Sequence, residues 1–333
     1  MINLKNIENK ILDFYRSLLK LKGKTAITFH INADIDAVSS ALLLKSLIKN
    51  SVIRSSSNID SSAKNVLEIL GFGLLEFKNP LNLNEFDNIV FVDVSDSNYC
   101  GIEEKVIKNF NGKILIIDHH CSSKIIKNSK SLILENYDSC SQIIYELYKI
   151  SNKKLTKWQA FLISLSILSD TAILMSSNNQ SISTLSYLLN QYDIDFQSLL
   201  ILAKRRADIS EKTKVLQSVK NCKFIKTKNH LIAYSFVDSF QLSSATSLIS
   251  SGADFAFAVD KKRGKLSAVC SNSLAEKGFN VSKILKQLQN IPDSSSGGHS
   301  SVAGMNFNYK QADLIVETLI EKSLKLINQL ENQ

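Results

Sequence analysis

The sequence predicts an α/β protein: a first domain built on a parallel sheet, a helical connector, and a smaller α/β domain that follows it. Three observations carry that reading. Between residues 25 and 150, short runs rich in Val, Ile, Leu and Phe alternate with stretches of helical periodicity, the order that βαβ units impose. From 156 to about 220 the periodicity is helical throughout. Strand-like runs then return, and the chain closes on a long amphipathic helix. A length of 333 residues exceeds what one ordinary core organises and fits two domains.

In chain order, residues 1–23 set Ile7, Ile11, Phe14, Leu18 and Leu21 at helical spacing, as an amphipathic helix packed on the first domain does. The segment lacks the continuous apolar core and small-residue cleavage site of a signal peptide. Strands are expected at 25–30, 51–55, 73–77, 88–93, 113–118 and 131–134, and helices at 37–49, 62–70, 102–109 and 139–150. KWQAFLISLSILSDTAIL, STLSYLLNQY, FQSLLILAKRRA and EKTKVLQSVK then read as helices. Beyond them CKFIKT, HLIAYSF, ADFAFAVD and GKLSAVC read as strands around the helix QLSSATSLIS. IPDSSSGGHSSVAG reads as a flexible loop by composition, and YKQADLIVETLIEKSLKLINQL as the closing helix. The expected domains are 1–190 and 216–333, with a helical connector over 191–215.

Composition narrows the function classes. A hydrophobic fraction of 44% and a charged fraction of 21% are those of a soluble globular protein. No apolar run approaches the roughly 20 residues of a membrane helix, so a cytoplasmic location without membrane contact is expected. Five cysteines, odd in number and without CxxC spacing, fit reduced thiols better than a disulfide frame or a zinc site. The net charge of +9 favours polyanionic partners, although the lysines are spread along the whole chain.

The chemistry lies where apolar runs end. TAITF ends at His30, with Asp34 and Asp36 following in HINADIDA. NIVFV ends at Asp93, and KILII ends at Asp118, His119 and His120. In a parallel sheet such strand ends share one edge, so residues distant in sequence converge there. Alone, Asp36 before AVSSALLLKSLI is a helix N-cap. A cap needs one acceptor, however, not two carboxylates and an imidazole within seven positions. Asp93 would be a buried carboxylate, which calls for a cationic partner; Asp96 reads as the cap of the next turn. Asp-His-His offers one imidazole for a metal, one for a substrate, and a carboxylate to orient them. Asp170, in the otherwise apolar ISLSILSDTAIL, adds a further carboxylate. Asp34, Asp36, Asp93 and Asp170 together balance two divalent cations, whose commonest joint use is phosphoester hydrolysis.

HxxxDxDA, the strand-terminal Asp, the DHH triplet and the later helical Asp together resemble the DHH phosphoesterase superfamily. SGADFAFAV, KLSAVCS and GGHSSVAG resemble its DHHA1 domain, so the resemblance covers nearly the whole chain. It looks most similar to the small nanoRNase and pAp-phosphatase type. The resemblance implies two metal ions, Mn2+ first with Mg2+ or Co2+ as alternatives. It implies one metal on His30, Asp34 and Asp93 and the other on Asp36, Asp93, His119 and Asp170. His120 would contact the scissile phosphate and Asp118 would support it. Hydrolysis of short oligonucleotides or of nucleoside 3',5'-bisphosphate by metal-activated water follows from the same resemblance. Gly297, Gly298 and His299, a plain turn if met alone, become a substrate-binding clamp, because glycines let backbone N–H groups approach an anion.

Two departures from the family pattern touch that clamp: Ser296 precedes only two glycines, and Cys270-Ser271 stands where an Arg-Ser pair is common. Lys261, Lys262, Arg263 and Lys265 lie nearby as a turn cluster, and Arg205 and Arg206 read as helix-face charges. His230 and Trp158 carry no chemistry in this reading. The expected partners are short single-stranded RNA or DNA oligonucleotides or nucleotides, with a second copy of the chain as a candidate. The alternatives are a cyclic- or linear-dinucleotide phosphodiesterase, a RecJ-like single-strand exonuclease, and, in a different class, a non-catalytic nucleic-acid scaffold.

Overall fold

In the computed structural model, which describes residues 4–73, 77, 81–120, 126–204 and 207–331, the chain divides into units spanning 1–206 and 207–333. The first unit begins with α1 (Leu4–Leu19), β1 (Thr25–Thr28), α2 (Ile35–Lys45), β2 (Ser51–Ile53) and α3 (Ser61–Ile69). It continues through β3 (Asn88–Val92), α4 (Glu104–Lys108), β4 (Lys113–Asp118) and β5 (Ser129–Ile133) to the helices α5 (Cys140–Ile150), α6 (Lys157–Asp170), α7 (Asn179–Tyr192) and α8 (Phe196–Ala203). All five strands run parallel, in the order β2-β1-β3-β4-β5.

Both faces of this sheet are covered. Ile27, Val90, Val92, Leu115 and Ile117 join the large core under α2, α5 and α6, while Ile89, Phe91, Ile114 and Ile116 build a second cluster on the opposite face. That is why the strands read as continuous apolar runs and not as an alternating pattern. The strand order reverses between β1 and β3. In open parallel sheets such a reversal opens a crevice at the strands' carboxyl ends.

The second unit holds α9 (Ile209–Lys220), β6 (Lys223–Lys226), β7 (Leu231–Phe236), α10 (Gln241–Ser250), β8 (Phe255–Asp260) and β9 (Lys265–Cys270). Two short helices, α11 (Asn272–Glu276) and α12 (Val281–Leu288), precede β10 (Ser295–Gly298), β11 (Val302–Asn306) and α13 (Ala312–Glu331). Its six-stranded sheet, ordered β10-β11-β9-β8-β7-β6, is antiparallel except where α10 crosses between the parallel β7 and β8. α8 falls in the first unit and α9 in the second.

Several expectations change. The stretch 291–304, expected as a flexible loop, forms a hairpin instead: β10 pairs with β11, and β11 pairs with β9. Ser and Gly have little strand propensity, so main-chain pairing at the sheet edge, not side-chain pattern, makes this strand. α12 was not expected at all, although Val281, Ile284, Leu285 and Leu288 sit at helical spacing and are buried. Two turns are too short for the pattern to stand out. Most of the strand expected at 73–77, together with Cys121, Arg205 and Arg206, lies outside the described residues. Among the described residues no helix is long and apolar enough to cross a membrane.

Candidate metal centre

Three strand ends and one helix end supply the residues. Beyond β1 the chain passes through His30 and Asn32, which is left-handed (φ 55°), to Asp34. Asp34 is the actual N-cap of α2, accepting from the Ala37 N–H at 3.1 Å. Asp36 is therefore not the cap. It sits fully buried in the first turn of α2, where its carboxylate accepts from the backbone N–H groups of Cys140 (2.6 Å) and Ser141 (3.0 Å) at the start of α5. A helix start is a natural seat for an anion. Asp93 follows β3 in the left-handed region at φ 58°, a conformation Asp tolerates better than most residues. Asp96 accepts from the Asn98 N–H at 2.8 Å, as a turn-capping Asp does.

The side chains converge in overlapping groups: one holds His30, Asp34 and Asp93, another Asp36, His119 and Asp170, and a third Asp93, His119 and His120. In the first, His30 Nε2 lies 3.4 Å from Asp93 Oδ2 and 3.7 Å from Asp34 Oδ1. In the second, His119 Nε2 lies 3.5 Å from Asp170 Oδ2, 4.0 Å from Asp36 Oδ2 and 3.4 Å from Asp93 Oδ1. The two oxygens of Asp93 thus face different histidines. Each histidine turns its other nitrogen to a carbonyl: His30 Nδ1 to Ile31 O at 2.8 Å, His119 Nδ1 to Tyr137 O at 3.2 Å. Donation there leaves both Nε2 atoms free as ligands.

His120 differs from its neighbour. Its side chain is 59% exposed against 12% for His119, and its Nδ1 bonds Asp118 Oδ1 at 2.8 Å. Asp118, nearly fully buried, also accepts from the backbone N–H groups of His119 and His120, which fixes the pair in place.

Charge and burial are in conflict throughout. Burial alone pulls the His30 imidazole down, but bonds to Asp34 and Asp93 and the Asp93 charge outweigh it and lift it to about 11. His119 is lifted to about 9 against the same burial, by Asp93 and Asp36. Burial, then the Asp93 charge, pushes Asp36 up to about 6, and burial with Asp36 and Asp93 pushes Asp170 well up. For His120, the bond to Asp118 is the largest cause of a raised value. Asp93 Oδ1 and His119 Nε2 are both buried without a hydrogen-bond partner. Buried polar atoms are seldom left so. A carboxylate and an imidazole facing one another in this way, among further carboxylates, are the donor set of an octahedral divalent ion such as Mn2+. The residues present fit two such ions.

After Asp170 the backbone does something unusual. Ala172, Ile173 and Leu174 are all left-handed (φ 48°, 59° and 68°), at about 1–2 kcal/mol each for residues with a side chain. The turn is closed by Ile173 N–H to Leu168 O and by Thr171, whose hydroxyl accepts from the Leu174 N–H and whose carbonyl accepts from the Ser176 N–H.

With this geometry in hand, residues 24–167 match the DHH family, N-terminal domain. The chain carries a DHH-family domain. An uncharacterised protein of Methanocaldococcus jannaschii is 29% identical over 294 residues, covering 85% of this chain and 87% of that one. The fold of the whole chain is similar to an exopolyphosphatase-related protein from Bacteroides fragilis (TM-score 0.72, 17% identity, 97% of this chain and 98% of that chain). It is also similar to RecJ of Thermus thermophilus, solved in complex with Mn2+ (TM-score 0.55, 11% identity), of which it spans 55%.

The remaining expected residues lie in the second unit. Gly297 and Gly298 end β10, and His299, exposed, follows them with its N–H on Val302 O at 2.7 Å. At Gly298 (φ 141°) an added Cβ would fall 2.5 Å from the Val302 carbonyl and the Ala303 Cα, so only glycine fits. Sequence reasoning missed the Tyr137 carbonyl and the Cys140 and Ser141 N–H groups. Backbone donors carry no residue signature; only the Ser139 cap before α5, which bonds the Gln142 N–H, hinted at them.

Proposed function

We propose that this protein is a two-metal phosphoesterase acting on short oligonucleotides, as an exonuclease, or on nucleoside 3',5'-bisphosphate. The observation that carries the reading is Asp93, one carboxylate with an oxygen in each of two donor groups. His30, Asp34 and Asp93 would hold one ion, and Asp36, Asp93, His119 and Asp170 the other, with Mn2+ the best fit to the mixed nitrogen and oxygen donors. When bound, a divalent pair makes water a nucleophile near neutral pH and stabilises the charge that develops on phosphorus oxygens.

The chain's own residues do the rest. His120 is more than half exposed beside the donor groups, with Nδ1 2.8 Å from Asp118 Oδ1, a bond that raises its affinity for a proton and suits the ring to act as a donor. Such a donor neutralises a phosphoryl oxygen or protonates a leaving oxygen. Asp118 fixes the ring's tautomer and orientation. In the second unit, Gly297, Gly298 and His299 are proposed to bind a substrate phosphate through backbone N–H groups and an imidazole.

The test is hydrolysis, with Mn2+ and after EDTA, of RNA and DNA oligonucleotides of increasing length, nucleoside bisphosphate, cyclic dinucleotides and pyrophosphate. Metal-dependent release of mononucleotides or phosphate from the short substrates is expected. A purified protein that takes up no divalent ion and cleaves none of them would overturn the proposal.

A further inference from the structure

We propose that Asp138, which belongs to neither donor group, is a positioning residue for the second one, an inference that rests on the two-metal reading. The segment 137–141 holds two members of that group directly. The Tyr137 carbonyl takes the His119 Nδ1 bond at 3.2 Å. The Cys140 and Ser141 N–H groups hold Asp36 at 2.6 and 3.0 Å. Asp170 has no bond of this kind from the segment. It stands at the last residue of α6, where the negative helix end disfavours a carboxylate, and the chain leaves it through three left-handed residues.

Asp138 closes the far end of that turn. Its Oδ2 accepts from the Asn178 N–H (2.8 Å) and the Ser181 hydroxyl (2.5 Å), and its Oδ1 from Asn178 Nδ2 (2.8 Å). Asn178 is also the N-cap of α7 and bonds the Asn136 carbonyl at 3.0 Å. One short segment thereby sets the positions of His119, Asp36 and, across the 171–178 turn, Asp170. A strained turn without glycine stays in place only where its surroundings hold it, and Asp138 supplies three of those bonds. Without it the turn relaxes and Asp170 drifts from the other two donors, while His30 and Asp34, on the β1 side, are untouched.

The test is calorimetric titration of the full chain with Mn2+. For Asp138→Ala one of two binding events should weaken by about tenfold or more, as loss of a supporting partner does, with the other unchanged. In a His30→Ala background, where only the second group is complete, the same change should remove most of the remaining binding. Asn178→Ala and Ser181→Ala each delete one side-chain donor to Asp138 and should reproduce a smaller, selective loss; they decide the question if Asp138→Ala fails to fold. A purely structural role predicts a lower melting temperature with both binding events equally affected, or neither, and that result overturns the proposal. Wild-type protein that binds no Mn2+ would instead overturn the two-metal reading.

Discussion

At the scale of single residues, adjacent histidines are expected to differ in function. His119→Ala should lower metal content, because its Nε2 faces Asp36, Asp93 and Asp170. His120→Ala should keep the metal and lose about 100-fold in turnover, the cost of removing a transition-state donor. Elemental analysis beside single-turnover rates distinguishes the two, and the reverse pattern would exchange their roles. Protons tell a second story. Without a cation, His30 and His119 are raised to about 11 and about 9, and Asp36 to about 6, so near neutral pH the two imidazoles bear protons that a metal must displace. Stability from the raised histidines is complete below their ordinary value of 6.5 and is lost as pH climbs through 9 and 11. Cation binding should therefore release protons at pH 7, and affinity should rise toward pH 9. Titration in two buffers of different ionisation enthalpy checks this: equal apparent enthalpies would mean that no proton leaves. His30, Asp34, Asp36, Asp93, His119 and Asp170 were singled out in the sequence, His30, Asp93 and His119 where apolar runs end and the full ligand sets through the family resemblance. The structure brings these side chains into the overlapping groups described above. Asp138 was not legible, since an Asp before Ser139 looks like any turn residue and its partner Asn178 lies 40 positions away.

At the scale of elements, side-chain pattern found the parallel strands and long helices, while main-chain geometry decided the pieces it missed. β10 has no apolar residue to announce it and exists because β11 offers it a ladder. The left-handed turn after α6 has no glycine to mark it. His230, which the sequence left without a role, is buried and bonds Glu331 Oε1 at 2.9 Å, tying the β6–β7 turn to the end of α13. Thr227 and the Asn229 N–H bond the same oxygen. Those bonds, His230 first, hold Glu331 down to about 2 from an ordinary 4.5. A depressed carboxylate contributes stability above its unfolded value and loses it as pH falls through the folded one. The melting temperature of wild type should thus fall more steeply than that of Glu331→Gln between pH 4.5 and 2. Parallel curves in scanning calorimetry would show that the clasp holds nothing.

At the scale of the whole molecule, the sequence changes from an alternating to a wholly helical pattern, a change that marks no point of division, while packing divides the chain at 206. α8 and α9 carry the same kind of periodicity, and only packing assigns them to different units. All residues of the two donor groups precede residue 171, whereas the proposed phosphate clamp lies at 297–299. A small activated phosphodiester should need only the first set. His299→Ala should therefore raise KM for dinucleotides and nucleoside bisphosphate while sparing the small ester. Equal effects on both substrates would remove the clamp and leave the first unit to act alone.

The left-handed backbone at Asp93 also bears on how such a protein ages in evolution. At that φ, glycine and asparagine are the residues that replace aspartate with little strain. Glycine would leave a gap in a packed edge, whereas asparagine keeps the shape and discards the charge shared by both donor groups. A descendant that gave up the proposed catalysis but kept its fold would carry a legible scar: Asn at position 93, beneath an otherwise intact DHH triplet.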